Sequence, residues 1–271
     1  LFWAYSYGLT KDRLRLYAND FTRIPFSAPK LPEQEKIADF LTAVDGRIGQ
    51  LIQKKDLLED YKKGVMQQLF TQAIRFKDDH GNDFPDWEEK KLGEVGNFIG
   101  GGTPDTNNES FWSGDIPWIS SSDISDSSIT QIKKHRFITP EAIKESAAKL
   151  VPENSILFIS RVGVGKLAVS KEEVCTSQDF SNFTPAKDHL MYLGYYFVFN
   201  QNLLKRYAQG TSIQGITTVE LKKIAIKIPC RSEQTKIADF LSAIDRKIES
   251  VATQITDTQT FKRGLLQQMF V

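Results

Sequence analysis

The chain has 271 residues, of which 40% are hydrophobic and 25% are charged, and this composition is ordinary for a protein that folds around a core. The formal net charge of +1 argues against binding of a polyanion by bulk charge alone. No apolar run approaches the ~20 residues that cross a bilayer, and the N-terminus lacks the residue order of a signal peptide. These features predict a cytoplasmic protein without a membrane partner.

The first predicted segment, residues 1–31, opens at Leu1 without a methionine and continues into the apolar stretch LFWAYSYGL. Its last part, RIPFSAP at 23–29, is matched 200 residues later by KIAIKIP at 223–229. We interpret the segment as the remnant of a domain, in a chain cut from a longer protein.

A nine-residue phrase occurs twice, as EQEKIADFL at 33–41 and as EQTKIADFL at 233–241. Further along, YKKGVMQQLF at 61–70 is matched by FKRGLLQQMF at 261–270, with the same shift of 200 residues. Because no insertion interrupts either copy, we expect each to form one rigid element.

Both copies are predicted to be long amphipathic helices, which we assign to residues 32–74 and 233–271. Their apolar residues step by four and three, as in a helix with a heptad seam. The repeated parts, 33–70 and 233–270, would each form a rod of about 57 Å at ~1.5 Å per residue. A lone helix of this kind gains little stability, so we expect the copies to pair, antiparallel because the link into the second is short. The predicted seam residues are Ile37, Leu41, Val44, Ile48, Leu51, Ile237, Leu241, Ile244, Ile248 and Val251.

Two glycines, Gly64 and Gly264, occupy equivalent points late in the predicted helices. Glycine costs roughly 1 kcal/mol relative to alanine inside a helix. Either the two glycines are simply tolerated or they mark a close approach of another backbone, and the sequence leaves both interpretations open.

Residues 75–232 differ in character, because short apolar runs such as DIPWISSSDI, SILFIS and LAVS are separated by turn residues. This pattern predicts a mostly β domain with a few helices, of which MYLGYYFVFNQNLLKRYA at 191–208 is the best candidate. The predicted fold class is therefore α+β: a mostly β domain flanked by two long helices that form an antiparallel coiled coil.

Residues with catalytic potential do not form a recognisable constellation. His80, His135 and His189 are scattered, no G-x-S-x-G elbow frames a serine, and Asp123 with Asp126 fits turns better than a metal pair. The stretch VGVGKLAV lacks the spacing and the hydroxyl residue of a nucleotide-binding loop. We predict that the chain is not an enzyme and holds no cofactor or metal of its own.

The middle domain is unevenly charged, with two basic and nine acidic residues between 86 and 130 but fifteen basic and eight acidic between 131 and 232. One of its faces could therefore be positive, and its loops are rich in hydroxyls, amides and cations that can contact phosphates and base edges. The alternative is that these loops are merely solvated. The predicted DNA-binding residues are Thr103, Ser120, Ser122, Lys133, Lys134, Arg136, Arg161, Lys166, Ser177, Gln178, Ser212 and Gln214.

Taken in order, the motifs resemble those of the DNA-specificity subunits of type I restriction-modification systems. The resemblance covers nearly the whole chain and depends on the order of its motifs, which are EQEKIADFLTAVDGRI, YKKGVMQQLF, WEEKKLGEVGNFIGGGTP, IPWISSSDI, SILFISRVGVGKLAV, TSQDF, TSIQGITTVELKKIAIKIP and EQTKIADFLSAIDRKI. In that family, two target recognition domains each read one half of a split DNA sequence, and two long helices set their spacing. The resemblance implies that residues 1–31 are the tail of a first recognition domain and that 75–232 is a complete one.

The resemblance also implies the partners. These are double-stranded DNA, methyltransferase subunits that dock on the helices, and a restriction subunit, with S-adenosylmethionine, ATP and magnesium bound by the partner subunits. A chain with one complete recognition domain would read one half-site, and recognition of both halves would require a homodimer. Two other interpretations stay open, namely a coiled-coil scaffold whose middle domain binds another protein, and a small enzyme with an unrecognised site.

Overall fold

The structure is a computed structural model that describes residues 6, 15, 17–25, 28–207 and 215–269. Most of the segment 1–31, and the predicted DNA-binding residues Ser212 and Gln214, lie outside the described residues. By their contacts, residues 53–253 form one compact unit, and the described residues up to 52 form another with those from 254 onwards.

Helices and strands are both abundant, and the two long helices flank a mostly β region, which confirms the predicted fold class. The region predicted as one helix at 191–208 instead holds two helices that meet at Asn200. The helices are α1 (Ala18–Phe21), α2 (Leu31–Phe70), α3 (Pro140–Glu145), α4 (Leu190–Phe199), α5 (Gln201–Tyr207), α6 (Thr218–Lys223) and α7 (Arg231–Met269).

The strands of the β region form two four-stranded sheets and one two-stranded ribbon. The first sheet has the order β2-β9-β6-β7 and is antiparallel, the second has the order β4-β3-β8-β5 with a parallel β3–β8 pair, and β1 pairs with β10. The strands are β1 (Glu88–Lys91), β2 (Gly96–Gly100), β3 (Ile116–Ile119), β4 (Phe137–Ile138), β5 (Leu150–Val151), β6 (Ser155–Ile159), β7 (Leu167–Ser170), β8 (Val174–Thr176), β9 (Phe180–Pro185) and β10 (Ala225–Ile228).

Strand β6 lies at the centre of the fold, and all five of its residues are buried. Its side chains alternate between two hydrophobic clusters, as the two-residue period of a strand requires. Ile156 and Phe158 belong to the cluster that includes the helices, whereas Leu157 and Ile159 belong to a cluster with residues of the second sheet. Both faces of this strand are therefore covered, which explains why SILFIS reads as a continuous apolar run.

Helix α4 is buried nearly all round because it packs against the first sheet and also against the ends of the long helices. Phe197 makes an edge contact with Phe158 of β6, with the ring centroids 4.9 Å apart. On another side, the Tyr195 hydroxyl donates a hydrogen bond of 2.7 Å to Asp245 of α7, and Tyr192 contacts the ring of Phe70 at the end of α2.

The long helices run antiparallel within the unit formed by residues 53–253. Lys62 of α2 forms an ion pair of 2.6 Å with Asp245, whereas Phe76, just beyond the end of α2, packs on Phe240. From Lys62 to Phe76 the residue number rises, whereas that of the contacted residue in α7 falls from 245 to 240, as in an antiparallel pair. The other unit contains the equivalent pair, because Lys262 forms an ion pair of 2.6 Å with Asp45. A lysine-to-aspartate contact therefore occurs once for each copy of the repeat.

Burial of the predicted seam residues differs between the two copies. The seam residues of the second copy are buried apart from half-buried Ile248, whereas those of the first copy are half-buried apart from buried Leu51. At Gly64 and Gly264, an added Cβ would find no described atom within 4 Å. No backbone in the described part of the chain approaches either glycine, which favours the interpretation that they are tolerated.

The helix starts have the same local geometry in both copies but different surroundings. Gln34 donates through its Nε2 to the carbonyl of Pro29 at 2.7 Å, and the equivalent Gln234 donates to the carbonyl of Pro229 at 2.9 Å. The preceding glutamates differ, because Glu33 is exposed whereas Glu233 is fully buried.

The buried Glu233 carboxylate accepts hydrogen bonds from two side chains that follow α2. The Arg75 guanidinium donates through Nε at 3.1 Å and Nη2 at 2.8 Å, and Trp87 donates through Nε1 at 3.2 Å. A two-point contact of this kind is among the stronger polar interactions in proteins. It joins the connection 71–87 to the start of α7.

The repeat supplies a matched pair of substitutions for this contact. Glu233→Ala is expected to lower the free energy of unfolding by about 3 kcal/mol, at the low end for a broken buried ion pair because Arg75 keeps some contact with water. Glu33→Ala, at the equivalent exposed position, is expected to change it by less than about 0.5 kcal/mol. Urea denaturation of both variants measures the difference, and equal effects would contradict the assigned role of Glu233.

Candidate nucleic-acid interface

Two of the predicted residues, Ser120 and Ser177, lie at the same edge of the second sheet, because each follows one of the parallel neighbours β3 and β8. Trp118 pairs with Cys175 and Ile119 with Thr176, so Ser120 and Ser177 follow directly. The Ser177 amide donates a hydrogen bond of 2.8 Å to the Ile119 carbonyl. The carboxyl ends of parallel strands meet at one edge, and the loops that follow them converge there.

A second loop reaches this edge from the end of β2. The Gly102 amide donates to the Thr176 carbonyl at 2.8 Å, and the Thr103 hydroxyl donates to the side-chain oxygen of Gln178. A Cβ on Gly101 would lie 1.9 Å from the Ser177 carbonyl oxygen. The glycines of GGGTP thus permit close packing of this loop.

Arg161 completes the cluster from the end of β6. Its backbone amide donates to the Asp179 carbonyl at 3.2 Å, and its side chain is exposed. Within the described part of the chain, its guanidinium has no hydrogen-bond or ion-pair partner. A groove of about 740 Å³ opens beside it and is also lined by Gln178 and Val162.

We call Thr103, Ser120, Arg161, Ser177 and Gln178 together the polar edge. Gln178 and Arg161 are exposed, Thr103 and Ser120 are half-buried, and Ser177 is buried. These five residues were predicted from separate stretches of sequence, and the fold brings them to one side of the β region. Their role as DNA contacts remains a prediction.

Arg136, another predicted DNA-binding residue, makes two side-chain hydrogen bonds and one ring contact within the chain. Its Nη2 lies 2.6 Å from both the Asp123 carboxylate and the Ser120 hydroxyl, and its guanidinium stacks 4.6 Å from the ring centroid of Trp118. Arg136 therefore holds the turn that carries Ser120 and Ser122. The Ser122 side chain is exposed and shares a hydrogen bond of 2.9 Å with the Ser120 hydroxyl.

The Asp123 carboxylate at the centre of this arrangement is buried. Burial alone would raise the pKa of Asp123, but hydrogen bonds from the Ser120 amide and hydroxyl and from Arg136 outweigh it and hold the pKa below its ordinary value. The charged form is thus the one that the turn stabilises.

The predicted lysines are distributed differently. Lys133 lies beside the same turn, since its amide donates to the Asp123 carbonyl at 2.9 Å, and its side chain is exposed. Lys134 instead pairs with Glu172, and Lys166 pairs with Asp126 at 2.5 Å. These two line other clefts, so the structure does not bring them to the polar edge.

Residues 85–258 match the family model described as the type I restriction modification DNA specificity domain. The chain belongs to this family. The match includes the β region with the polar edge and much of α7.

Curated members of the specificity family with similar sequences include two type I restriction enzyme specificity subunits. The MjaIX subunit of Methanocaldococcus jannaschii is 32% identical over 74% of this chain and 48% of its own length. The EcoR124I/EcoR124II subunit of Escherichia coli is 27% identical over 89% of this chain and 60% of its own length. The chain thus spans about half the length of the first of these relatives and three fifths of the second.

Solved structures support the fold. The S subunit of a type I restriction-modification system from M. genitalium aligns with a TM-score of 0.62 over 99% of this chain and 68% of its own length, at 17% identity. The HsdS subunit from Thermoanaerobacter tengcongensis aligns with a TM-score of 0.55 over 96% of this chain and 64% of its own length, at 18% identity.

Among the described residues of this specificity-family chain, no three His, Cys, Asp or Glu side chains converge as a metal site would require. None of the described helices is both long and apolar enough to cross a membrane.

Sequence reasoning missed Val162, which lines the groove beside Arg161 and is 62% exposed. Its backbone has a φ of 43°, which β-branched residues rarely adopt. The only signal in the sequence is its position between an arginine and a glycine in the turn RVGVG.

The lowered pKa of Asp123 gives a pH-dependent test of the turn. Asp123→Asn is expected to lower the free energy of unfolding by about 2 kcal/mol at pH 7, because it removes charge-assisted hydrogen bonds. A depressed folded-state pKa stabilises the fold above the ordinary carboxyl pKa, and this contribution is lost as the pH falls through the folded-state value, below 3.8. Urea titrations should therefore show the gap from wild type narrowing in that acid range.

Asp126→Asn is the control, because Asp126 is an exposed carboxylate paired with Lys166. It is expected to change the free energy of unfolding by less than about 1 kcal/mol. A wild-type to Asp123→Asn gap that stayed constant into strong acid would show that the charge of Asp123 does not stabilise the turn.

Proposed function

We propose that this chain is the DNA-reading part of a type I restriction-modification complex and recognises one half of a bipartite target in double-stranded DNA. The observation that carries the proposal is the match of residues 85–258 to the DNA specificity domain. In this proposal the chain has no catalysis of its own. Methyltransferase subunits bind S-adenosylmethionine, and a restriction subunit uses ATP and magnesium.

The polar edge supports the proposal because its exposed members can read bases. Gln178 uses its side-chain oxygen to accept from Thr103, and this contact orients the amide and leaves its Nε2 as a donor. Glutamine pairs with adenine, and the unpartnered guanidinium of Arg161 matches the two acceptors of guanine in the major groove. The hydroxyls of Ser120 and Thr103 suit phosphate contacts, which set register without carrying sequence information.

The charge near the polar edge is modest, and this bears on how tightly the chain alone can bind. Arg161 stands beside Asp179 and Glu220 at the groove, and Arg136 is paired with Asp123. Non-specific affinity for duplex DNA comes mainly from cations that neutralise phosphates. We therefore propose that the methyltransferase subunits supply much of the positive surface around the DNA.

The long helices provide the remaining parts of the proposed function. They separate the polar edge from a second recognition domain and dock the methyltransferase subunits. Exposed apolar side chains on α2 suit such docking, since Leu57 is 62% and Tyr61 is 52% exposed and they lie one turn apart on the same face. Aromatic and aliphatic anchors of this kind often dominate protein interfaces.

The test of DNA reading is selection from a randomised duplex pool by the complex of this chain with its methyltransferase subunit, at near-physiological salt. A short enriched sequence is expected. Arg161→Ala and Gln178→Ala should each weaken binding to that sequence by about tenfold to a hundredfold and relax selection at one position, because each removes a base contact.

Arg231→Ala is the matched control, because this exposed arginine contacts the Lys187 carbonyl and does not line the groove. It should leave the selected sequence unchanged. Binding of the methyltransferase subunit without any enriched sequence would instead favour the scaffold interpretation, and turnover by the isolated chain would favour an enzyme.

Docking has a separate test in Leu57→Glu. This substitution places a charge in the apolar patch and is expected to weaken binding of the methyltransferase subunit by at least about tenfold in titration calorimetry, without lowering thermal stability. Lys63→Glu is the control, because Lys63 is exposed about 120° around α2 from Leu57. Equal effects of the two variants would show that general charge, and not the apolar patch, governs docking.

A further inference from the structure

Val162 combines three properties that are rare in one residue. It is a β-branched apolar residue, its side chain is 62% exposed, and its φ of 43° lies in the left-handed region. An exposed valine gains nothing from burial, and this backbone conformation is unfavourable for its side chain. In the isolated chain, the residue therefore does not contribute to the stability of the core.

The surrounding turn holds Val162 in this conformation. On one side, Arg161 is fixed through its amide to Asp179 and by a bridge to Gly215. On the other side, Gly163 adopts a φ of 109° and its carbonyl accepts from the Lys166 amide at 3.3 Å. Residues held in sparsely populated conformations by their surroundings concentrate at binding sites.

The neighbours of Val162 indicate what it would contact. Arg161 and Gln178, which line the same groove, offer hydrogen-bonding groups, whereas Val162 offers only methyl groups. In the major groove of DNA, the base edges present hydrogen-bonding groups, and the one apolar group is the 5-methyl of thymine. The groove is also lined by Ile216 and Phe180, but these are buried, whereas Val162 is exposed. One small exposed aliphatic side chain beside polar readers matches that methyl group better than it matches a protein surface, whose anchors are larger and clustered.

We propose that Val162 is a specificity-determining residue that contacts the 5-methyl group of a thymine in the recognised half-site. This inference rests on the proposed function, since it requires the polar edge to face the major groove. In the complex, the methyl groups of Val162 and of thymine contact each other, and both are removed from solvent.

The test replaces thymines of the selected sequence one at a time with deoxyuridine, which removes only the 5-methyl group. For the complex with the wild-type chain, binding is expected to weaken about fourfold at one thymine, the effect of one buried methyl group. For Val162→Ala, the same replacement should have almost no effect. Fluorescence anisotropy with each duplex gives the dissociation constants.

Two further variants separate reading from folding. Val219→Ala is the matched control, because Val219 is also 62% exposed but does not line the groove, and it should keep the fourfold effect of deoxyuridine. Val162→Gly should abolish the thymine preference while melting no lower than wild type, since glycine adopts positive φ without strain. A marked drop in its melting temperature would show that Val162 is a packing residue and would overturn the inference.

The outcomes also separate this inference from the proposed function. An enriched sequence whose thymines all tolerate deoxyuridine, or equal deoxyuridine sensitivity in wild type and Val162→Ala, would overturn the inference alone. Weaker binding of Val162→Ala to the methyltransferase subunit, with unchanged DNA preference, would assign the residue to a protein interface. Failure of the wild-type complex to enrich any sequence would overturn both.

Discussion

Burial of α4 on two sides is the constraint on which the rest of this fold depends. Its aromatic side chains cannot be left in water, so the first sheet covers one side and the ends of the long helices cover the other. Phe197 contacts β6, and Tyr195 reaches Asp245 of α7. One hydrophobic cluster therefore includes both the strands and the helix ends. A β region held in this way keeps a fixed orientation with respect to the adjoining parts of α2 and α7.

At the polar edge, backbone geometry determines where the side chains lie. The parallel pairing of β3 with β8 brings Ser120 and Ser177 to one edge, and Gly101 lets the loop after β2 approach to van der Waals distance. Side chains that face solvent there, above all Gln178 and Arg161, contribute little to the core. They can therefore change with little effect on the free energy of unfolding, so the sequence of the polar edge can vary while the fold is kept.

Much of the architecture could be predicted from sequence, because heptad spacing and exact repetition are local signals. The two long helices follow from them, and their antiparallel pairing was predicted from the short link into the second helix. The break at Asn200 could not be predicted, since apolar residues continue on both sides of it. Nor could the partners of Lys134 and Lys166, because Glu172 and Asp126 are distant in sequence and only the folded chain brings them near. Val162 was missed because its distinguishing property is a backbone angle, which no composition or period reveals.

The paired lysines of the long helices carry a consequence for the register between the helices. Lys62 faces Asp245, and a slip of α7 by one heptad would place Ala238 or Ala252 there instead. In the other unit, a shift of the same size would place Ala38 or Ile52 opposite Lys262 in place of Asp45. One heptad is about 10 Å of helix. Each ion pair therefore favours one register in its own part of the helix pair, because a shift by one heptad would leave its lysine opposite an apolar side chain.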